Sequence, residues 1–367
     1  MITILASKGK ISTRQAMIIL ALMTLSPEIR LFPQFTAKIA GKAGWLAPVV
    51  AIVPLILLVI LTQKMFKTYK EASLSDVFYK ILGNTIGRIV VSLYLIWMLV
   101  LLALYIRYYA ERILSSMLPH TSILFLIISM LIMVFIAARY GLTPIARAIE
   151  MFFLLFVVIL IFTFVLVIPN VTYRNIMNVS YLDIWPVIKS SHIILSIWGY
   201  YIFIFFLGDK INDKENIKKI GLKGLMFKFV FCILLLITTI GTLSATLASH
   251  ISLPFFMMVK NISIWGTIER LESILLSVWI VSDFVIITMF TCISIAIIKS
   301  IFVLSDTKAL VGPVVLLGGV GALFLFNNRY DLESFSKFIA IPTNIVFAFI
   351  IPIFTFIVGK IRKKILK

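Results

Sequence analysis

The sequence predicts an all-α polytopic membrane protein with ten transmembrane helices, and three observations carry that prediction. Hydrophobic residues make up 62% of the chain and charged residues 13%, against roughly 25% charged in a soluble domain. Apolar runs of the ~20 residues needed to cross a bilayer recur along the whole length, without the alternation of a β-barrel strand. The cations are also sorted. With the N-terminus inside, the cytoplasmic connections hold more than twice as many Lys and Arg as the outer ones, and these residues resist translocation. Both termini then lie in the cytoplasm. The net charge of +19 reads as this topological signal and not as a nucleic-acid surface.

The spans read, in order, 13–37, 45–63, 86–110, 121–138, 146–168, 188–208, 222–247, 271–298, 309–327 and 340–360. The first hydrophobic run starts after Arg14 and ends without a small-residue cleavage site, so it reads as a retained span and not a signal peptide. Span three carries Tyr94 and Trp97, three residues apart and therefore on one face. Spans four and five meet at the basic junction around Arg139 and Arg147, where Arg147 and Glu150 have intrahelical spacing; Arg107 and Glu111 have it at the end of span three. The lysines from Lys210 to Lys228 separate spans six and seven, setting topology and meeting anionic lipid. The segment 250–270 is apolar but too interrupted to cross, and reads as a hairpin at the outer face. Span eight holds Ser282 and Asp283, and span ten runs into a basic tail. No soluble domain fits between the spans, so residues 1–367 form a single transmembrane domain.

Two spans carry interruptions. In span one, Leu25-Ser26-Pro27-Glu28 places a proline in mid-helix, with Ser26 as cap and Pro27 as first residue of a restarted helix. In span six, Ser196-Ile197-Trp198-Gly199-Tyr200 places a glycine between large aromatics. Unwound backbone at this depth is tolerated only where it is buried or lines a cavity. Spans one and six lie five helices apart, as expected for a five-plus-five inverted repeat (13–168 and 188–360) with discontinuous helices 1 and 6, the LeuT-like arrangement. Such paired breaks present helix N-termini and free carbonyls to a small charged solute.

Cys232 and Cys292 lie inside spans, and His120, His192 and His250 lack metal-ligand spacing, so neither a metal site nor a cofactor is expected. No Walker loop, HExxH or nucleophile elbow is present, which argues against an enzyme.

The stretch Arg139-Tyr140-Gly141-Leu142-Thr143-Pro144-Ile145-Ala146-Arg147-Ala148-Ile149-Glu150 resembles the junction between spans four and five of the spore germination permeases. Glu269-Arg270-Leu271-Glu272-Ser273 with Trp279, and Gly41 to Leu46, are similar to two further segments of that family. The likeness extends over essentially the whole chain. It implies the B subunit of a nutrient germinant receptor, distantly similar to amino-acid/polyamine/organocation transporters, working with A and C subunits in the inner spore membrane. Ala43 and Gly44 stand where relatives often carry an acidic residue. Residues 151–168 contain no lysine, so the resemblance does not carry lysine-based proton coupling.

The candidate solute site comprises Leu25, Ser26, Pro27 and Glu28 of span one, Ser196, Trp198, Gly199 and Tyr200 of span six, and Tyr94 and Trp97 as a wall from span three. Ionisable residues inside spans are functional candidates by default, which makes Ser282 and Asp283 a candidate ion or proton site. Glu28 would repel a substrate carboxylate unless it is protonated, turned away or paired with Arg30. One such site serves three functions: a receptor subunit binding a small nutrient such as an amino acid, an autonomous amino-acid transporter, or a pore component gated by nutrient.

Overall fold

The computed structural model describes residues 9–177, 179–261 and 271–362, and within them the chain is almost wholly helical; the one β feature is an isolated bridge between Ile11 and Ile211. Eight helical stretches are long and apolar enough to cross a membrane, the first of them, Thr13–Thr68, covering two helices, with a shorter apolar helix at Lys308–Phe324 besides.

Helix α1 (Thr13–Ala40) starts at a capping box in which the Ser12 side chain receives the Gln15 amide and Gln15 reaches back to Ser12, satisfying two of the free N–H groups of a helix start. Thr13 adds a hydroxyl bond to the Asp213 carbonyl at 2.9 Å, tying this end to the loop after span six. A 3₁₀ turn at Gly41–Leu46 reverses the chain into α2 (Ala47–Thr68). The short amphipathic α3 (Leu74–Leu82) begins at a second capping box, Ser73 and Asp76. Beside it Lys10, 3.2 Å from Glu71, holds that carboxyl below the usual carboxylate range.

Gly83, at φ +94°, breaks α3 from the long α4 (Asn84–Ser116), and Gly141, at φ +88°, breaks α5 (Ile123–Tyr140) from α6 (Leu142–Val167). Both turns need the left-handed backbone that glycine adopts without a Cβ clash. On α6, Met151, Leu154, Val158, Ile161 and Val165 are all more than half exposed, as expected of a face turned to lipid.

Span six is α7 (Ile184–Trp198), then one turn of α8 (Tyr200–Phe203), then a 3₁₀ stretch to Lys210 with a kink at Leu207. There follow α9 (Ile217–Leu243), the short α10 (Ala245–His250) and α11 (Pro254–Lys260), α12 (Leu271–Phe302) and α13 (Val311–Phe324). The last crossing combines α14 (Arg329–Phe335), α15 (Ile341–Ile345) and α16 (Ile351–Ile361) with π-helical turns at Ser336–Ala340 and Val346–Ile350 between them. Of the hairpin expected over 250–270, only its first part, α10 to α11, falls among the described residues; 262–270, including Glu269 and Arg270, lie outside them.

The helices pack as two groups: α1, α2, α7 and α9 in one, α4, α5, α12 and α13 in the other, with α1 laid against α12 between them. In the second group Gly318 and Gly321 of α13 admit Leu102 and Ala103 of α4, where an added Cβ would meet side-chain carbons within 2.9 Å. Small residues of this kind drive close helix packing where lipid removes the hydrophobic drive.

The first interruption differs from its expected form. α1 is helical throughout, with Pro27 and Pro33 inside it; the break is confined to its hydrogen-bond ladder. The Ser282 hydroxyl of α12 accepts the Ser26 N–H at 2.8 Å and donates to the Leu22 carbonyl at 2.6 Å, standing where the direct bond between those two groups would be. Pro27 next to it has no N–H to donate. A hydroxyl from a neighbouring helix thus takes the place of unwinding.

Candidate functional site

Four residues of α1 place polar groups in the centre of the bundle. Thr24 and Glu28, four apart, share one face, and Ser26 and Arg30, also four apart, share another. Each face meets cations from a different helix.

On the first face, Lys228 of α9 lies 2.6 Å from Glu28 and bonds the Thr24 hydroxyl, with its ammonium 5.7 Å from the centre of the Trp198 ring. Glu28 and Lys228 are both at least 96% buried. Glu28 is thereby turned away from Arg30 and neutralised by a residue that the sequence reading had assigned to the topological lysines. Lys214 departs from that reading too: it is buried, with its ammonium donating to the Ala72 carbonyl at 2.9 Å.

On the second face, the Ser26 hydroxyl donates to Asp283 and accepts from Trp279 Nε1 at 2.8 Å and from Arg112 Nη1 at 3.2 Å. Arg112 of α4 also pairs directly with Asp283, and its guanidinium lies 4.5 Å from the Trp279 ring centre. The candidate ion position at Ser282 and Asp283 is therefore occupied by a guanidinium from the chain itself. Ser26 joins all three elements: its backbone meets Ser282, and its side chain meets α4 and α12.

The span-six residues divide. Trp198 packs edge-on to Phe32 of α1 at 6.5 Å, and the Ser196 hydroxyl bonds back to the Ile193 carbonyl within its own helix. Gly199 faces the last crossing, not α1. A Cβ there would lie 2.5 Å from the Ala348 Cβ and 3.1 Å from Phe349, so its small size is required by packing. Tyr200 heads a polar chain. Its hydroxyl shares a 2.8 Å bond with Tyr105 and receives Asn344 Nδ2 at 3.1 Å, and Asn344 Oδ1 in turn accepts Trp97 Nε1 at 2.9 Å. Tyr94 donates to the Phe347 carbonyl at 2.6 Å and stacks on Phe78 at 5.4 Å. Trp97 and Tyr94 therefore secure the last crossing to α4. Leu25 is buried within the hydrophobic core, and Pro27 follows Ser26 in α1.

The structure thus gathers Ser26, Ser282 and Asp283 into one cluster and links Trp97 with Tyr200, while Glu28 and Trp198 form a second cluster with Lys228. Lys228, Arg112, Trp279 and Asn344 are the residues that sequence reasoning missed. Two small cavities flank α1. One, about 30 Å³, is lined by Arg30, Tyr108 and Arg112; the other, about 10 Å³, lies between Trp198, Tyr201 and Lys228. The first has room for about two waters and the second for at most about one. A polar cleft of about 480 Å³ opens between Asp76, Arg88 and Lys299, at the end of the bundle that carries Thr13, and reaches Phe206 and Cys292.

The geometry can be set beside known proteins. A family model described as Spore germination protein matches residues 10–336. The chain is 21% identical over 366 residues to Spore germination protein KB of Bacillus subtilis (strain 168), covering 97% of this chain and 96% of that one. It is 23% identical over 305 residues to Spore germination protein A2 of the same organism, covering 82% and 83%. Among solved structures, the crystal structure of MhsT in complex with L-phenylalanine matches with a TM-score of 0.67 and 13% identity, over 93% of this chain and 89% of that chain. At that identity the likeness is one of fold, and it bears out the expected all-α, LeuT-like membrane architecture.

Proposed function

This chain belongs to the spore germination protein family, and on that premise we propose that it is the germinant-sensing membrane subunit of a spore nutrient receptor, without enzymatic activity. In this reading the chain crosses the inner spore membrane ten times, Thr13–Thr68 counting as two crossings and Lys308–Phe324 as one, with both termini cytoplasmic. A small nutrient such as an amino acid binds near the midplane beside α1 and the α7–α8 break, and A and C subunits read the resulting change.

The observation that carries this reading is the bonding of Ser26. One residue of α1 is held at once by the Ser282 wedge, by Asp283, by Trp279 and by Arg112, which ties the α1 group to the α4–α12 group at the centre of the bundle. A solute that competes for any of these bonds shifts the balance between the two groups by its differential affinity for them. Small displacements there become large ones because packed interfaces are bistable. The Lys228–Glu28 pair remains within the α1 group and holds α9 to it as the joint moves.

The polar cleft of about 480 Å³ supports a second reading, autonomous transport, in which it is the vestibule through which solute leaves by alternating access.

Purified protein in liposomes, incubated with labelled amino acids, separates the two. Saturable binding without accumulation, weakened by Ser26→Ala, is the receptor outcome. Concentrative uptake by the chain alone would replace the receptor with the transporter.

A further inference from the structure

Among the described residues, the two carboxylates that line the cavity at Arg30, Glu111 and Glu333, and the two buried acids nearest along the bundle, Asp283 and Glu28, are already paired with other cations. Glu111 pairs with Arg107 at 2.8 Å, Glu333 with Arg329 at 3.0 Å, Asp283 with Arg112, and Glu28 with Lys228. Arg30 is left over. It is 92% buried, lines the cavity with Arg112 beside it, and has no acidic partner among the described residues. Burying a cation without an anion is costly enough that such groups are paired or functional.

Arg30 is also held in place for a ligand. Its guanidinium carbon stands 3.1 Å from the centre of the Tyr108 ring, a cation–π contact that fixes the plane of the fork. Tyr108 is itself anchored, its hydroxyl donating to the Leu332 carbonyl at 3.0 Å and bonding Ser336 at 2.6 Å. The stacked face is thereby satisfied while the N–H edge has no carboxylate to receive it. Gln34 of α1 and Ser252 of the turn before α11 also line the space.

We infer that Arg30, stacked on Tyr108, is a carboxylate-binding site for the α-carboxylate of the nutrient, deepening the sensing reading on which it rests. A planar guanidinium matches a carboxylate with two parallel N–H bonds, which an ammonium cannot do. The cavity of about 30 Å³ takes a carboxylate head and not a whole amino acid, so the rest of the solute extends past Gln34 and Ser252, which line the same space. This assigns the site an amino acid or another small monocarboxylate. It also resolves the conflict posed by Glu28, whose negative charge is spent on Lys228 on the opposite face.

The test is ligand-dependent thermal stabilisation of the full-length protein in nanodiscs with each of the twenty proteinogenic amino acids, with acetate and chloride as bare-anion controls. Amino acids that stabilise the wild type are then tried as their carboxamides. Support requires that the acid binds, the carboxamide does not, and Arg30→Gln weakens binding on the order of tenfold to a hundredfold with Arg30→Lys in between. A carboxamide that binds the wild type as tightly as the acid overturns the site, and this arm needs no variant to fold. Equal binding to wild type and Arg30→Gln overturns it too, while leaving amino-acid sensing intact. Stabilisation by chloride but not by acetate or any amino acid overturns the carboxylate assignment. No shift with any probe overturns both the site and the amino-acid reading.

Discussion

Two buried ion pairs, Arg112 with Asp283 and Lys228 with Glu28, cross the centre of this bundle, and the cost of separating each defines what substitution does. Asp283 and Arg112 are both at least 96% buried. Removing one member of such a pair leaves an uncompensated charge and destabilises by ~3–5 kcal/mol, whereas replacing both with apolar residues is often neutral. Asp283→Asn is therefore expected to lower the thermal unfolding midpoint in detergent, and Arg112→Met with Asp283→Leu to recover most of the loss. Lys228→Met should act similarly through Glu28, and Lys228→Met with Glu28→Leu should restore it; if the double variant is no better than the single, the pair is not the unit of stability. Half of each pair was legible beforehand. Glu28 and Asp283 stood out as acids in apolar runs, but Lys228 was grouped with neighbouring lysines although it lies six residues inside the span drawn from 222. Arg112 fell two residues beyond the span drawn to 110, while α4 continues to Ser116. Local spacing also misled once: Glu150 bonds Gln15 at 3.1 Å and pairs with Arg14, not Arg147, because α1 packs on α6 at that point.

At the scale of the helix, the wedge in α1 and the contact at Gly199 are the features that sequence could place but not describe. Ser26 and Pro27 mark where the ladder must fail, yet the hydroxyl that repairs it comes from 256 residues further on, beyond any local pattern. Ser282→Ala should leave the Ser26 N–H and Leu22 carbonyl without their shared partner, at ~1–3 kcal/mol for each group left unsatisfied. Faster amide exchange in the peptide spanning 22–30, with Ser282→Thr close to wild type, is the expected signature. Gly199 was read as unwound backbone beside a solute; its backbone is helical, at φ −60°, and it is small because Ala348 presses on it. Gly199→Ala is accordingly expected to destabilise by ~1–3 kcal/mol, as overpacking does, and Ala348→Gly to rescue it in the same unfolding assay. Failure of the rescue would return Gly199 to the solute site. The π turns at Ser336–Ala340 and Val346–Ile350 each lie just ahead of a proline, Pro342 and Pro352, inside one continuous helical crossing, where a missing N–H disturbs the ladder.

For the molecule as a whole, most of the layout was legible because the bilayer restricts the choices to apolar helices with satisfied backbones, and the sorted cations predict an orientation for them. That orientation makes a direct prediction. The two native cysteines are Cys232 and Cys292, both within α9 and α12, so single cysteines can be introduced on their background. Lys42→Cys should react with a membrane-impermeant maleimide from outside intact cells, and Lys67→Cys only after permeabilisation; reversed labelling would invert the topology. What the chain alone could not show was the pairing of helices into two groups that meet around Ser26, which depends on contacts between residues hundreds of positions apart. The guanidinium of Arg112 at that joint has a consequence for the chemistry of the surroundings. A seam between moving helices that contains a carboxylate ordinarily needs a positive charge from the medium to close; here the charge is covalently part of the wall. The resting arrangement should thus hold equally well in sodium, potassium or choline salts, so that in the proposed sensor the state of the molecule would follow the nutrient and not the salinity around it.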